Sequence, residues 1–317
     1  MRSGVLVEDL SRSFDGVRAV DGLSFAVPAG SVGAVLGPNG AGKTTTIRIL
    51  TTLDTADAGR AFVGGYDVAR QAHSVRSIIA LTGQYAAVDG DLTGRQNLIM
   101  IGRLFHLSRR AAKARADDLL DRFRLAPAAS RLTRSYSGGM RRRLDLAASL
   151  VTAPSVLFLD EPTTGLDPTS REELWAVVRS LRADGATILL TTQYLEEADR
   201  LADNVTVIDH GQAVANGTPA ALKAAFGGDV LELVSGNADT ADSAARFLTE
   251  KAGVPDAAIG RAGDRVAVTV PAGTYTVVEA TRLLDAEGLW LEDIHLRRAS
   301  LDEVFTALTD QGGRSAR

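Results

Sequence analysis

The sequence predicts an α/β fold with a mostly parallel sheet, followed by a small α+β domain. Between residue 5 and about residue 226, short continuous apolar runs alternate with segments of helical periodicity, which is typical of buried strands that helices cover on both faces. Beyond the Gly-Gly pair at 227–228, apolar residues recur at every second position, as at Val266, Val268 and Val270 and again at Leu289 and Leu291, which predicts strands with one exposed face. The length of 317 residues agrees with two domains of about 150 residues each. We therefore predict domains at 1–226 and 227–317.

The composition indicates a globular chain without thiol chemistry. Hydrophobic residues make up 45% of the sequence, charged residues 23%, and cysteine is absent, which excludes disulfides and thiolate metal sites. The formal net charge of −4 gives no general attraction to phosphate backbones, so we expect no nucleic-acid partner. No stretch reaches the ~18 to 20 consecutive apolar residues that cross a bilayer, and we expect a soluble chain in the cytoplasm.

The first motif is a glycine-rich loop between a predicted strand and a predicted helix. Residues 37–44 fit the spacing G-x-x-x-x-G-K-[ST], and the apolar run 31–36 precedes them. Because glycine lacks a Cβ, backbone N–H groups can converge on phosphate oxygens, and the helix N-terminus adds partial positive charge. Lys43 can neutralise the β and γ phosphates, while the Thr44 hydroxyl suits Mg²⁺. The predicted nucleotide-binding residues of the loop are Gly37, Pro38, Asn39, Gly40, Ala41, Gly42, Lys43, Thr44 and Thr45.

Two carboxylates follow a second apolar run. Asp160 and Glu161 come directly after the apolar residues 156–159. At the carboxyl end of a buried parallel strand, such side chains lie where α/β sheets bind their ligands. We expect Asp160 to hold Mg²⁺ and Glu161 to orient or deprotonate the attacking water. Alone, the two residues would suit a turn before Pro162 equally well, but the phosphate loop favours the functional interpretation.

A third motif begins a predicted helix with one apolar face. Residues 137–140 are Ser-Gly-Gly-Met. Ser137 is a suitable N-cap, and the N–H groups exposed by Gly138 and Gly139 at a helix N-terminus suit a phosphate. The alternative is a capped surface helix whose arginines at 141–143 form a solvated side.

The order and spacing of these motifs resemble those of ATP-binding cassette (ABC) proteins. Residues 137–140 resemble the ABC signature, Gln84 resembles the Q-loop glutamine, and residues 164–167 resemble the D-loop, which ends in Asp167. The resemblance implies a P-loop ATPase cassette with a helical subdomain at about 91–152. Within that insert, a charged amphipathic helix is expected at 111–123.

The resemblance also implies how such a chain works with a second copy of itself. Two cassettes would pair head to tail, with each ATP between the phosphate loop of one chain and the signature of the other. Gln84 would join Thr44 and Asp160 as a ligand of Mg²⁺. The signature residues that would face the second chain are Ser137, Gly138 and Gly139.

Two positions raise separate questions about the nucleotide site. Most ABC cassettes carry a histidine where this chain has Gln193; an amide can bond the γ-phosphate but cannot hold a proton, so we expect Glu161 alone to act as the catalytic base. Phe14 stands where such cassettes carry the aromatic residue that stacks on adenine, and stacking requires only a π face. A core phenylalanine is the alternative for Phe14.

Longer segments resemble one ABC subfamily, the ATP-binding subunits of daunorubicin and doxorubicin resistance exporters. These segments are residues 136–151, 159–171, 189–203 and 300–309, and the third includes the glutamine at 193. The resemblance implies a separate integral membrane permease, two copies of each subunit, and export of a hydrophobic drug or antibiotic. The chain would then be bound to the cytoplasmic side of the membrane through that partner, with the segment from Gln84 to about Asn97 facing it.

Other functions remain open at this point. One alternative is a cassette ATPase acting on nucleic acid or ribosomes, which the single cassette, the lack of cysteine and the acidic balance oppose. Another is export of a lipid or polysaccharide. A third is a nucleotide-gated scaffold that hydrolyses little, which an intact Glu161 opposes.

The role of the C-terminal domain has two candidate interpretations. It could stabilise or regulate the dimer, or it could dock onto the membrane subunit. We favour the first, because alternating strands with an open face can pair between chains.

Overall fold

The computed structural model describes residues 3–83, 88–227, 229–250, 259–270 and 277–298. The chain divides into two compact units, residues 1–216 and 217–317. The boundary predicted from the sequence, between residues 226 and 227, lies further along the chain than this division. Gln84 and the segment 300–309 lie outside the described residues.

The first unit begins with a four-stranded sheet in the order β2-β1-β4-β5. Its strands are β1 (Ser3–Phe14), β2 (Val17–Pro28), β4 (Ala58–Val63) and β5 (Tyr66–Asp67). β1 pairs antiparallel with β2 and β4, and β4 pairs antiparallel with β5. Alternate residues of β2 are buried and exposed over its second half, as expected for a sheet with one face on the core.

A second, six-stranded sheet has the order β10-β9-β3-β8-β7-β6. β3 pairs parallel with β8 and β9, and β7 pairs parallel with β6 and β8, so the predicted parallel sheet is confirmed. β3, β7 and β8 are buried along their whole length, which explains the apolar runs at 34–36, 156–159 and 188–190 within them. The strands are β3 (Val32–Leu36), β6 (Ile79–Thr82), β7 (Val156–Asp160), β8 (Thr187–Thr192), β9 (Asn204–Asp209) and β10 (Gln212–Gly217).

Four helices accompany the two sheets. They are α1 (Lys43–Leu50), α2 (Ala72–Ile78), α6 (Pro168–Ala183) and α7 (Leu195–Leu201). One hydrophobic cluster contains residues of both sheets and of α1, including the fully buried Leu10, Val35 and Ile47. This shared core fixes α1, and therefore the loop before it, against the parallel sheet.

The helical part of this unit falls within the predicted segment 91–152. It contains α3 (Gly94–Leu104), α4 (Arg109–Arg122) and α5 (Gly138–Ser149), with short 3₁₀ turns at Ala126–Ala128 and Thr133–Ser135. The helix expected at 111–123 is confirmed as α4. A capping box begins α3, because the Thr93 side chain accepts from the Gln96 N–H while the Gln96 side chain accepts from the Thr93 N–H.

The second unit contains a β-α-β-β-α-β arrangement. Its sheet has the order β12-β13-β11-β14, with every recorded pairing antiparallel, which is the ferredoxin-like topology. The expected α+β class is thereby confirmed and given a specific topology. The elements, after α8 (Pro219–Leu222) and a π turn at Lys223–Gly227, are β11 (Asp229–Val234), α9 (Ala238–Glu250), β12 (Ile259–Ala262), β13 (Arg265–Val270), α10 (Val277–Ala286) and β14 (Asp293–Arg298).

One strand of this unit was wrongly placed by the period-two pattern. Leu289 and Leu291 alternate as in a strand, but the last strand of the described residues begins only at Asp293. Both leucines pack against the hydrophobic core of the unit from the turn that follows α10, where Gly288 has a φ of +73°. The apolar spacing therefore predicts the burial of these leucines correctly and their secondary structure incorrectly.

None of the helices in the described part of the chain combines the length and the apolar character that a membrane span requires.

Candidate functional site

The glycine-rich loop lies between β3 and α1, as its motif predicts. Gly42 has a φ of +99°, and a Cβ there would lie 2.2 Å from the Ala19 carbonyl oxygen. At Gly37 a Cβ would lie 2.4 Å from the Ile208 carbonyl oxygen. Since real side chains do not approach backbone so closely, both positions require glycine, one for backbone conformation and both for packing.

Lys43, the first residue of α1, is almost fully buried, with 4% of its surface exposed. Its Nζ donates to the Gly37 carbonyl at 2.8 Å and to the Pro38 carbonyl at 3.0 Å. The same Nζ lies 3.2 Å from Oε1 of Glu161. The loop therefore folds around the ammonium group, and the carboxylate supplies the balancing charge that a buried cation requires.

Asp160 ends β7 and meets two threonine hydroxyls. Thr44 Oγ1 lies 3.4 Å from Asp160 Oδ1, and Thr191 Oγ1, on the adjacent strand β8, donates to the same oxygen at 2.6 Å. Asp160 is buried, so the hydroxyl of Thr191 fixes its orientation. The hydroxyl of Thr44 and the carboxylate of Asp160 are oxygen donors of the kind that Mg²⁺ prefers, and the pair fits that ion.

Glu161 is held in an unusual backbone conformation. Its φ is +47°, a left-handed value that costs a non-glycine residue roughly 1–2 kcal/mol. Its N–H donates both to the carbonyl and to Oγ1 of Thr191, each at 3.1 Å. Thr164 Oγ1 lies 3.3 Å from Glu161 Oε2. These contacts hold the carboxylate beside Lys43, and they give Thr191 a positioning function that the sequence analysis missed; its only signal was a hydroxyl at the end of a buried strand.

The signature segment begins α5. Ser137 is the N-cap, and its Oγ accepts from the Met140 N–H at 3.2 Å. Ser137 and Gly138 are exposed, whereas Gly139 is buried. A Cβ on Gly139 would lie 2.2 Å from Ser170 Oγ, so glycine permits the close approach of α5 to α6. The predicted N-cap and glycine pair are thus in place, with two of the three residues presented to solvent.

Asp167 in the D-loop is the N-cap of α6. Its Oδ1 accepts from the Ser170 N–H at 3.0 Å and its Oδ2 from the Ser170 hydroxyl at 2.6 Å. These hydrogen bonds from Ser170 lower the pKa of Asp167 below its ordinary value. Ser170 therefore contacts both the carboxylate of Asp167, which caps α6, and the point at which Gly139 of α5 packs against α6.

The interpretation of residues 141–143 as a solvated arginine face is wrong for two of them. Only 13% of the Arg142 side chain and 11% of the Arg143 side chain are exposed. Arg143 donates to the Phe123 carbonyl and pairs with Glu173. Arg142 points towards the end of β7, where it bonds backbone carbonyls. Burial lowers the pKa of Arg142, and the nearby carboxylate of Asp145 opposes that shift.

Phe14 and Gln193 lie at the ends of strands. Phe14 ends β1 with 40% of its surface exposed and the Arg12 guanidinium 4.7 Å from its ring centre, which argues against the core alternative; adenine stacking stays a prediction. Gln193 directly follows β8 and is partly exposed. Gln84, the remaining predicted ligand, lies outside the described residues.

A buried acid close to this site escaped sequence analysis. Glu197 on α7 is fully buried, and its Oε1 accepts from the Trp175 indole N–H at 3.1 Å. Burial raises the pKa of Glu197, while hydrogen bonds from Thr192 and Trp175 oppose the shift. α7 carries several acidic residues, so nothing in the local sequence identifies Glu197 as the buried one.

The fold and the site define a nucleotide-binding ATPase cassette. A profile of the ABC transporter family matches residues 20–164. The chain is 54% identical over 306 residues to the daunorubicin resistance ATP-binding protein DrrA2 of Streptomyces coeruleorubidus, covering 96% of this chain and 94% of that protein. The chain belongs to the ABC transporter family, as an ATPase subunit.

A second relative and a solved structure support the same family assignment. The daunorubicin/doxorubicin resistance ATP-binding protein DrrA of Streptomyces peucetius is 50% identical over 305 residues, covering 95% of this chain and 90% of that protein. A solved ATP-binding subunit of an ABC transporter superposes with a TM-score of 0.62 at 29% identity, over 70% of this chain and 93% of that one. The resemblance to the drug-resistance subfamily, first indicated by short segments, is therefore confirmed across nearly the whole chain.

Proposed function

We propose that this chain hydrolyses ATP to power export of a hydrophobic drug or antibiotic through a separate membrane permease. The observation that carries this proposal is the extent of the match: relatives named for daunorubicin resistance align with up to 98% of the chain, across both units. Relatives named for Nod factor export are 44–45% identical over 71–72% of it. The difference in coverage favours drug export over export of a Nod factor.

In this proposal each residue around the phosphate loop has a separate role. Lys43 neutralises the terminal phosphates, and the loop N–H groups bind their oxygens. Thr44 and Asp160, with Gln84, hold Mg²⁺, which supplies charge stabilisation to the phosphates when bound. Glu161 Oε accepts the proton of the attacking water, and Gln193 donates an amide N–H to the γ-phosphate.

Two copies of the chain complete each site. The exposed Ser137 and Gly138 at the N-terminus of α5 offer hydroxyl and N–H donors together with a positive helix end, which suits the γ-phosphate held by a partner chain. Asp167 lies in the D-loop beside the same helix pair. Closure of the dimer on ATP and its reopening after hydrolysis would provide the motion that the permease uses.

Membership of the ABC transporter family supports a membrane partner and a location beside it. ABC ATPase subunits of transporters work with permease components, and the described residues include no helix able to cross a membrane. We therefore infer that the chain lies on the cytoplasmic side of the membrane, attached through the permease. The segment from Gln84 to about Asn97 is the candidate contact with the permease, while the C-terminal unit is assigned to stabilising or regulating the dimer.

A pull-down from gently solubilised cells tests this proposal. The tagged chain carries Glu161→Gln to hold the ATP-closed dimer, and Lys43→Ala serves as the matched control that cannot close on ATP. We expect a polytopic membrane protein in equal ratio with the chain, and cells lacking that protein should accumulate an anthracycline fluorophore. Recovery of ribosomal or DNA-bound proteins, without any membrane protein, would contradict the proposal.

A further inference from the structure

Arg142 on α5 has all three of its guanidinium nitrogens directed at backbone carbonyls. Its Nε donates to the Pro162 carbonyl at 2.8 Å, and its Nη2 lies 3.3 Å from the carbonyls of both Asp160 and Glu161. Its Nη1 donates to the Gly83 carbonyl. One side chain thus joins three consecutive peptide units after β7 to the end of the neighbouring strand β6.

The charge on Arg142 is balanced where it lies. Asp145, one helical turn further along α5, has Oδ2 3.7 Å from Arg142 Nη1 and is itself buried. The carbonyl dipoles provide the remaining compensation. Because guanidinium is planar and carries five N–H donors in a fixed fork, it can bond several carbonyls at once, which an ammonium group on a single stem cannot do.

The three carbonyls after β7 belong to Glu161, the residue assigned as the base, and to the residues on either side of it. Glu161 has its backbone in the left-handed region, a conformation that persists only where the surroundings over-determine it. On the amino side, its N–H is held by Thr191. On the carbonyl side, the carbonyl of Glu161 and those of its two neighbours meet Arg142. The strained turn is therefore held at both ends, and Arg142 provides the hold on the carbonyl side.

We propose that Arg142 is a positioning residue for Glu161: it fixes the turn that aims the carboxylate, and it acts on hydrolysis only through that carboxylate. This inference rests on the proposed role of Glu161 as the base. It also gives the signature helix a direct connection to the hydrolytic residue of the same chain, since Arg142 lies in the second turn of α5 while Ser137 caps that helix.

The primary test is the steady-state ATPase of the full-length chain carrying Arg142→Gln. We expect kcat to fall by about 10²-fold, because small misplacements of a reacting group have costs of that size, while the KM for ATP stays at the wild-type value. Arg115→Gln is the matched control. Arg115 also donates to a carbonyl from a partly buried position, that of Leu150 just after α5, so this variant should keep the wild-type kcat.

A double-mutant cycle separates positioning from general damage. Single-turnover rates are measured with wild type, Arg142→Gln, Glu161→Gln and the double variant. If Arg142 acts through Glu161, its replacement adds no further loss once the carboxylate is gone. An equal fractional loss in both backgrounds, or a rise in KM matching the fall in kcat, would overturn the proposal.

Two further arms complete the design. If Arg142→Gln does not unfold cooperatively, Arg142→Lys takes its place in the cycle, since it keeps the charge beside Asp145; its kcat should still fall, and a wild-type kcat would overturn the proposal. The Glu161→Gln single variant reports on the base assignment by itself. An unaltered rate in that variant would remove the proposed role of Glu161, independently of what Arg142 does.

Discussion

Lys43 Nζ lies 3.2 Å from Glu161 Oε1, with 4% of the lysine and 9% of the glutamate side chain exposed. The residue proposed to bind phosphate and the residue proposed to activate water are therefore ion-paired with each other in this structure. The pair is unequal, because Lys43 also bonds two carbonyls. An incoming γ-phosphate would compete with Glu161 for the ammonium and free the carboxylate for water.

We expect Lys43→Ala and Glu161→Gln to fail at different steps. Lys43→Ala should lose ATP binding, because the buried loop loses its cation and leaves Glu161 unpaired. Glu161→Gln should bind ATP normally and lose about 10²- to 10⁴-fold in turnover, the range for a general base. Titration with a fluorescent ATP analogue and steady-state turnover separate the two. Wild-type turnover in the glutamine variant would leave the chain without a catalytic base at this position.

We expect Asp160→Asn to weaken the use of Mg²⁺. The amide keeps an oxygen that can accept from Thr191, so the local fold should persist, but it removes the charge that the ion needs. The Mg²⁺ concentration for half-maximal turnover should rise at least about 10- to 100-fold, the cost of losing an outer-shell partner of a metal site. Turnover measured across a Mg²⁺ series checks this. The same Mg²⁺ dependence in both proteins would remove Asp160 from the metal site.

Gln193→His should add a pH limb to hydrolysis. With glutamine at this position, no titrating side chain takes part there, and the wild-type profile should lack a limb near ~6.5, the ordinary histidine value. The histidine variant should acquire one. Values of kcat/KM for the wild type and the Gln193→His variant, measured from pH 5.5 to 9, provide the comparison. A wild-type limb near that value that disappears when a native histidine is replaced would contradict the assignment of Glu161 as sole base.

Glu197→Gln should raise stability and reduce its dependence on pH. Burial raises the pKa of Glu197 in the folded chain. The contribution of Glu197 to the free energy of unfolding is therefore full below its pKa in the unfolded chain, about 4.3, and is lost as pH rises through its pKa in the folded chain. Glutamine keeps an acceptor for Trp175 without that loss. Thermal unfolding from pH 5 to 8 should show the variant more stable at the upper end. Glu196→Gln, at an exposed neighbour, is the control and should retain the wild-type slope.

Gly139→Ala and Gly138→Ala should behave oppositely in stability. The first places a Cβ 2.2 Å from Ser170 Oγ, a hydroxyl already bonded to Asp167, and should destabilise the unit by about 1–3 kcal/mol, as overpacking does. The second meets nothing within 4 Å and should unfold at the wild-type temperature or above. Its defect, if the proposed dimer is right, is confined to ATP-dependent pairing, which sedimentation of the Glu161→Gln background measures.

The sequence predicted the loop, β7 and α5 because their signals are local. A glycine-rich motif after an apolar strand and a serine before a helix each carry their own physical reason. The contacts of Arg142, Thr191 and Glu197 could not be predicted, because each depends on a partner that is distant in the chain. Arginine and glutamate are usually exposed, so their burial is visible only once the fold brings carbonyls, a hydroxyl or an indole to them.

The sheet of the second unit has its earliest strand in the middle. β11 pairs with β13 on one side and with β14, the last described strand, on the other. During synthesis, this central strand therefore keeps an unsatisfied edge until residues 293–298 have left the ribosome. A premature stop before that point would yield a product with an exposed strand edge on β11, the feature through which β proteins aggregate. We expect such a product to aggregate or to be degraded rapidly by the cell.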